Sequence, residues 1–189
     1  MLKKQDFLEI FKVGGILCLI TAVAALALAA TNAKTAPLIA QHEQEKQEAA
    51  MKVVLPDADG FRMENLKNDS MEEIVTAVYA AKDQSGYAVM VSPNGYNGAV
   101  SLAVGVLADG TVSGIDVISQ SETAGLGANC VKESFKDQFA GKTEGITVVK
   151  NGASGNQINA ISSATITSKA VTSGVNAAIS AVKEVKEHE

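Results

Sequence analysis

The sequence predicts an α+β domain, an antiparallel sheet packed with helices, preceded by one N-terminal transmembrane helix. Three observations predict it. An uncharged run stands near the N-terminus, two pairs of strand-like segments are each joined by a Gly-containing turn, and an apolar stripe of helical period closes the chain.

Residues 13–30 form a run of eighteen without a charge, with Thr21 as the sole side-chain hydrogen-bonder, and Thr31-Asn32-Ala33 extends it. At about 1.5 Å rise per residue, a helix over 13–33 spans most of a hydrocarbon core of roughly 30 Å. Lys3, Lys4 and Lys12 precede the run. The positive-inside rule therefore predicts a cytoplasmic N-terminus over 1–12 and places everything after Lys34 on the outer face of the cell membrane. The run also holds small-residue sites of the kind cut after a secretory signal. Its apolar stretch exceeds the roughly 7 to 15 residues of such a signal, which favours a retained anchor, and either reading exports the domain.

Residues 34–56 read as a stalk, rich in Gln, Glu, Lys and Ala with Leu38, Ile39 and Val53 as sparse apolar marks, ending before Pro56. The domain is expected over 57–189. Within it, 75–81 and 87–92 flank a polar turn containing Gly86, and 100–107 and 112–119 flank Asp109-Gly110, a strong hairpin signal. A helix is expected over 131–140, with Val131, Phe135, Gln138 and Phe139 on one face and Gly141 as its stop. A short strand over 147–150 and a Gly/Ser/Asn loop over 151–156 come next. The last helix is expected from Ser168 to about Glu187, with Val171, Val175, Ala178, Ile179, Val182 and Val185 facing the sheet.

Composition excludes several function classes. Beyond residue 33 the chain has 13 basic and 19 acidic residues, a formal charge of −6, with no basic stripe for nucleic acid. Cys18 lies in the apolar run and Cys130 in the domain, so they are not expected to pair, and two cysteines cannot build a metal or iron–sulfur site within this chain. His42 and His188 sit in charged flanks and read as solvated. No catalytic constellation, phosphate-cradling Walker loop or dinucleotide fingerprint is present.

A hydroxyl cluster, Ser162-Ser163-Ala164-Thr165-Ile166-Thr167-Ser168, stands at the start of the last helix. Unpaired N–H groups and the positive dipole end make such a place hospitable to a phosphate. Ser and Thr are also the preferred N-caps, so the cluster has an ordinary reading as well.

Asn159-Ala-Ile-Ser-Ser-Ala-Thr165 resembles the flavinylation motif Asp-x-x-(Ser/Thr)-Gly-Ala-(Thr/Ser). That motif marks the FMN-binding domain shared by the G subunit of the Rnf ion-translocating complex and the C subunit of sodium-translocating NADH:quinone reductase. The resemblance implies that a flavin transferase, using FAD, joins FMN through its phosphate to Thr165. Ser162, Ser163 and Ala164 would be the small neighbours that let phosphate and transferase approach, and Thr167 with Ser168 would cap the helix. Asn159 stands where the family has Asp, keeping an acceptor oxygen without the charge. Ser163 stands where the family has Gly, a substitution that is costly if the turn needs positive φ.

Two further segments extend the resemblance in the family's order. Ser121-Glu122-Thr123-Ala124-Gly125-Leu126-Gly127 is similar to Glu-Thr-Pro-Gly-Leu-Gly, with Ala124 for Pro. There Gly125 and Gly127 would let backbone approach a flat ring, Leu126 would pack on it, and the Thr123 hydroxyl with backbone N–H groups would meet its polar edge, with Glu122 counted among the cofactor-binding residues; a plain glycine turn is the alternative. Gly95-Tyr96-Asn97-Gly98 looks like the family's Gly-Tyr-x-Gly, and Tyr96 is expected either to wall the flavin pocket or to cap the core.

The shortness of the chain favours the G subunit over the C subunit, whose domain usually carries insertions. The resemblance then implies a non-autonomous redox subunit, an outer-side relay in a complex that couples electron transfer from ferredoxin to NAD to sodium or proton export. The implied partners are the other subunits, the flavin transferase and the membrane. The reading from a different class is a non-redox, membrane-tethered domain in which the hydroxyl cluster only caps a helix.

Overall fold

The computed structural model describes the backbone of residues 4–64 and 74–187, and side chains from Lys12 onward. His188 and Lys3 lie outside the described residues. The chain divides into residues 1–45 and a compact unit over 46–189.

One helix, α1 (Lys4–Val54), runs through both the expected span and the expected stalk. Among the described residues it is the one helix long and apolar enough to cross a membrane. Val13, Leu17, Leu26 and Leu28 are all more than half exposed. Pro37 sits inside α1 without ending it. The last turns of the expected stalk belong to the domain's core: Ala50, Met51, Val54 and Leu55 are buried, whereas Val53 is exposed.

The sheet is a five-stranded antiparallel meander of β1 (Phe61–Glu64), β2 (Val75–Ala81), β3 (Gly86–Val91), β4 (Ser101–Leu107) and β5 (Val112–Ser119), in chain order. Both hairpins expected from the turn signals are present, in registers such as Val78↔Val89 and Val104↔Ile115. The edge strand β1 was not expected; four residues with a mixed burial pattern give too little periodicity to read. Side chains alternate between the two faces of each strand. Val78, Val89, Val91, Leu102, Val104 and Ile115 fill one face, and Ala77, Ala88, Met90 and Ala103 occupy the other. The second face is small because the end of α1 packs there: a Cβ on Gly105 would stand 2.6 Å from the Val54 carbonyl oxygen. Ser113 Oγ donates to that same oxygen at 2.6 Å.

The expected helix over 131–140 is broken. A 3₁₀ turn (Gly127–Val131) stops at the extended Lys132, followed by a single turn of helix, α2 (Glu133–Lys136), and a second 3₁₀ turn (Asp137–Phe139). Phe135 and Phe139 are buried edge-to-face with centroids 5.5 Å apart, as the helical spacing implied, while Val131 remains 45% exposed. Buried Lys136, bound to Asp116 and Glu133 at 2.9 Å each, holds the short segment against β5. The expected strand over 147–150 is β6 (Thr147–Val149), which pairs in parallel with β7 (Gln157–Asn159), a strand not expected from its three residues.

The last helix, α3 (Thr165–Glu187), begins three residues earlier than expected. Its stripe is as read: Val171, Val175, Ala178, Ile179 and Val182 are at most 1% exposed and pack on the first face of the sheet. Burying each of the valines and Ile179 contributes roughly 1.5–3 kcal/mol, so this face anchors the helix. Gly174 marks its closest approach, where an added Cβ would lie 3.0 Å from both Pro93 Cγ and Val91 Cγ2. We expect Gly174→Val to lower stability by about 1–3 kcal/mol through overpacking, read as a fall in the urea midpoint at unchanged slope.

Candidate functional site

Three segments meet at the start of α3. Beyond β3, a tight turn has Tyr96 and Asn97 at its tip, closed by the Gly95 amide donating to the Gly98 carbonyl at 2.8 Å and flanked by the bridge Asn94↔Ala99. Beyond β5, residues 121–127 fold back through the amides of Leu126 and Ala128, both donating to the Thr123 carbonyl. The third segment runs from β7 into α3 by a turn in which the Ala164 amide donates to the Ile161 carbonyl at 3.0 Å.

Glu122 ties the three together. Its Oε1 accepts the amides of Tyr96 and Asn97 at 2.9 Å each, and its Oε2 accepts the hydroxyl of Thr167 in the first turn of α3. Glu122 is 8% exposed. Room for it comes from two glycines: a Cβ on Gly95 would stand 2.6 Å from Oε1, and one on Gly127 would stand 2.5 Å from Oε2. Burial alone would push the Glu122 carboxyl up, but hydrogen bonds from Thr167, Asn97 and Tyr96 outweigh it and hold the group below the ordinary glutamate range. Cys130 is fully buried, and burial together with the Glu122 charge raises its thiol pKa, leaving it an unreactive core residue.

Above this node lies an open cleft of about 460 Å³ lined by Tyr96, Glu122, Thr123, Leu126, Gly127, Ser163, Ala164, Thr165, Ile166 and Thr167. Nine of the residues expected at the site therefore converge from three distant stretches of chain. Tyr96 is 69% exposed and walls the cleft, so it does not cap the core. Thr165 is exposed and is the first residue of α3. Ser162, Gly98 and Gly125 are neighbours of the cleft and do not line it. Gly125 instead supplies a left-handed turn at φ 78°, its carbonyl accepting Asn129 Nδ2 at 2.9 Å.

One expectation about roles is corrected. Thr167 and Ser168 do not cap α3, because the helix has already begun: Thr167 is turned onto Glu122. Ser168 Oγ donates to the Ala164 carbonyl and accepts the Ile161 amide, both at 2.9 Å, locking the preceding turn. Gly127 lines the cleft, and the Glu122 carboxylate and Thr167 hydroxyl fill the space a side chain there would need.

The turn before Thr165 does require positive φ, and Ser163 adopts 60° there. Asn159 Oδ1 accepts the Ala153 amide at 3.0 Å, a bond that an uncharged oxygen makes. Gln138 holds Asn159 from the other side, its Oε1 accepting the Asn159 amide at 2.7 Å. Sequence reading missed Ile166 at the cleft, although its place off the buried stripe of α3 marks it as outward-facing. It also missed Asn97, whose Nδ2 donates to Thr123 Oγ1 at 3.1 Å and braces two walls.

Residues 95–180, spanning all three segments, match the family model of the FMN-binding domain, and residues 1–54 match that of the RnfG N-terminal region. Over 186 residues the chain is 38% identical to the G subunit of the proton-translocating ferredoxin:NAD(+) oxidoreductase complex of Clostridium ljungdahlii, with 96% of each chain covered. The chain belongs to the RnfG family. A second RnfG relative, from the Na(+)-translocating ferredoxin:NAD(+) oxidoreductase complex of Acetobacterium woodii, is 41% identical over 192 residues, with 92% of each chain covered. The fold is shared with the crystal structure of the C subunit of Na(+)-translocating NADH-quinone reductase from Parabacteroides distasonis, at a TM-score of 0.56 and 22% identity over 74% of this chain and 90% of that one.

Two outcomes are expected for this RnfG site. Ser163→Gly removes the cost of a left-handed side-chain-bearing residue and raises stability by about 1 kcal/mol, measured by thermal unfolding. Because the folded pKa of Glu122 is depressed, its contribution is present above the unfolded value of about 4.3 and is lost as pH falls through the lower folded value. Glu122→Gln therefore flattens the acid limb of the stability–pH curve; a limb as steep as the parent's overturns the assignment of that limb to Glu122.

Proposed function

We propose that this chain is an electron-transfer subunit that carries FMN attached through its phosphate to Thr165, within a membrane complex coupling ferredoxin:NAD electron transfer to sodium or proton export. The observation that carries this reading is Thr165 itself, exposed at the first position of α3 and lining a cleft walled by the three segments of the domain.

The lining fits a flavin. Tyr96, Leu126 and Ile166 offer exposed apolar surface for a ring, while Thr123 and Ser163 bring hydroxyls and polar backbone for its edges. The first amides of α3, which lack partners within the helix, and the positive end of its dipole favour the phosphate. Bound FMN supplies the one- and two-electron chemistry. The chain's own contribution is to hold the ring and set its surroundings, with Glu122 fixing the Tyr96 turn against the helix start. Covalent linkage keeps the cofactor on a domain exposed outside the cell, where replacement is scarce. The membrane is spanned by α1 with the N-terminus inside, the other subunits of the complex are the redox neighbours, and a separate flavin transferase matures the protein.

Co-expression with a flavin transferase tests the attachment. In a denaturing gel the parent chain is expected to carry flavin fluorescence and Thr165→Ala to carry none. A dark parent band with active transferase present would falsify the covalent assignment and leave the tethered-domain reading, whereas a fluorescent Thr165→Ala band would sink Thr165 as the attachment point and put the flavin on another residue.

A further inference from the structure

A second concavity, of about 430 Å³, lies at the other end of α3, lined by Arg62, Ala80, Ala81, Lys82, Gln84, Gly86, Tyr87, Ala108 and Lys186. Lys186 stands twenty-one residues beyond Thr165 along one helix, so the two sites are roughly 30 Å apart. Three cations line this pocket in a domain whose net charge is negative.

The acids near it accept from local donors, and Asp109 also lies within electrostatic reach of Lys186. Asp83 accepts from Ser85 through its amide at 3.1 Å and hydroxyl at 2.8 Å, and Asp109 accepts the Thr111 amide at 2.8 Å; both carboxyls are held below the ordinary range by those bonds. Glu64 Oε1 accepts from Arg62 Nη2 at 2.7 Å and Nε at 3.0 Å, so Arg62 comes to the pocket already paired with one carboxylate. Among the described residues that line the pocket there is no acid.

The cations are also seated. Lys82 lies along Gly60, where an added Cβ would stand 3.5–3.7 Å from its last carbons and Nζ. Lys186 Nζ donates to the Ala108 carbonyl and sits 5.7 Å from the centre of the Tyr87 ring. Between β2 and β3, Gln84 adopts φ 61°, its amide donating to the Ala81 carbonyl at 3.0 Å. Hairpins of this kind usually place glycine at the left-handed position. Here a side chain with an amide donor occupies it and lines the pocket.

We propose that this pocket binds a small multivalent oxyanion, a phosphate or a polycarboxylate, held by Arg62, Lys82 and Lys186 with the Gln84 amide as a neutral donor. Charge-assisted hydrogen bonds from a convergent set of cations are the chemistry such a ligand requires. The ligand is independent of the flavin, whose proposed phosphate site is at the opposite end of the helix.

Isothermal titration of the full chain in nonionic detergent at low salt, with inorganic phosphate and with citrate as the two probes, tests this. At least one probe is expected to bind saturably at one site, more weakly as sodium chloride is added. Lys82→Ala, a change at an exposed side chain, is expected to raise Kd by about tenfold or more, and the further change Lys186→Ala to abolish binding at an unaltered circular dichroism spectrum. Thr165→Ala is expected to leave Kd unchanged. Failure of both probes to saturate, equal affinity in Lys82→Ala, or loss of binding in Thr165→Ala overturns the proposal; the last places the anion in the flavin cleft.

Discussion

A single buried carboxylate holds the site of this protein together. Glu122 receives two amides from the Tyr96 turn and a hydroxyl from the first turn of α3, so three stretches far apart in sequence share one acceptor group. A buried charge is tolerable only when its lone pairs are met, and here each oxygen has a donor. The glycines at 95 and 127 are the steric condition for that arrangement, because side chains there would displace the carboxylate.

The rest of the fold supplies the rigidity that this node needs. The apolar stripe of α3 is buried along the sheet, so the position of Thr165 is inherited from packing many residues away. Gly174 lets the helix sit close to Pro93, from which the Tyr96 turn departs. The other face of the sheet is closed by the end of α1, which needs alanines and Gly105 to come near. A cofactor-carrying relay gains from such construction, since the protein's share of the chemistry is positioning and surroundings.

The motif residues divide into those that meet the cleft and those that build its support. Thr165, Thr123, Leu126 and Tyr96 face the cleft. Asn159 secures a loop, Gln138 secures Asn159, and Ser168 locks the turn that carries Ser163. The departure from Asp at Asn159 costs no hydrogen bond here, because a neutral amide oxygen accepts from Ala153 as a carboxylate would. The departure from Gly at Ser163 is a real steric cost, since the turn holds that residue in the left-handed region.

By itself the sequence determined the apolar first helix, the antiparallel hairpins and the buried stripe of the last helix, because each is a local pattern with its own period or turn residue. Ordered motifs also marked the Tyr96, Glu122 and Thr165 segments as one site. Only the tertiary structure decided what each residue there does. Glu122 became a support beneath the cleft and Thr167 its donor, because a carboxylate's partners are chosen by whichever amides and hydroxyls the fold brings within reach. The expected helix over 131–140 is broken at the extended Lys132 into short turns, where pairing Lys136 with Asp116 and lending Gln138 to Asn159 are long-range demands. Helical periodicity alone cannot register them.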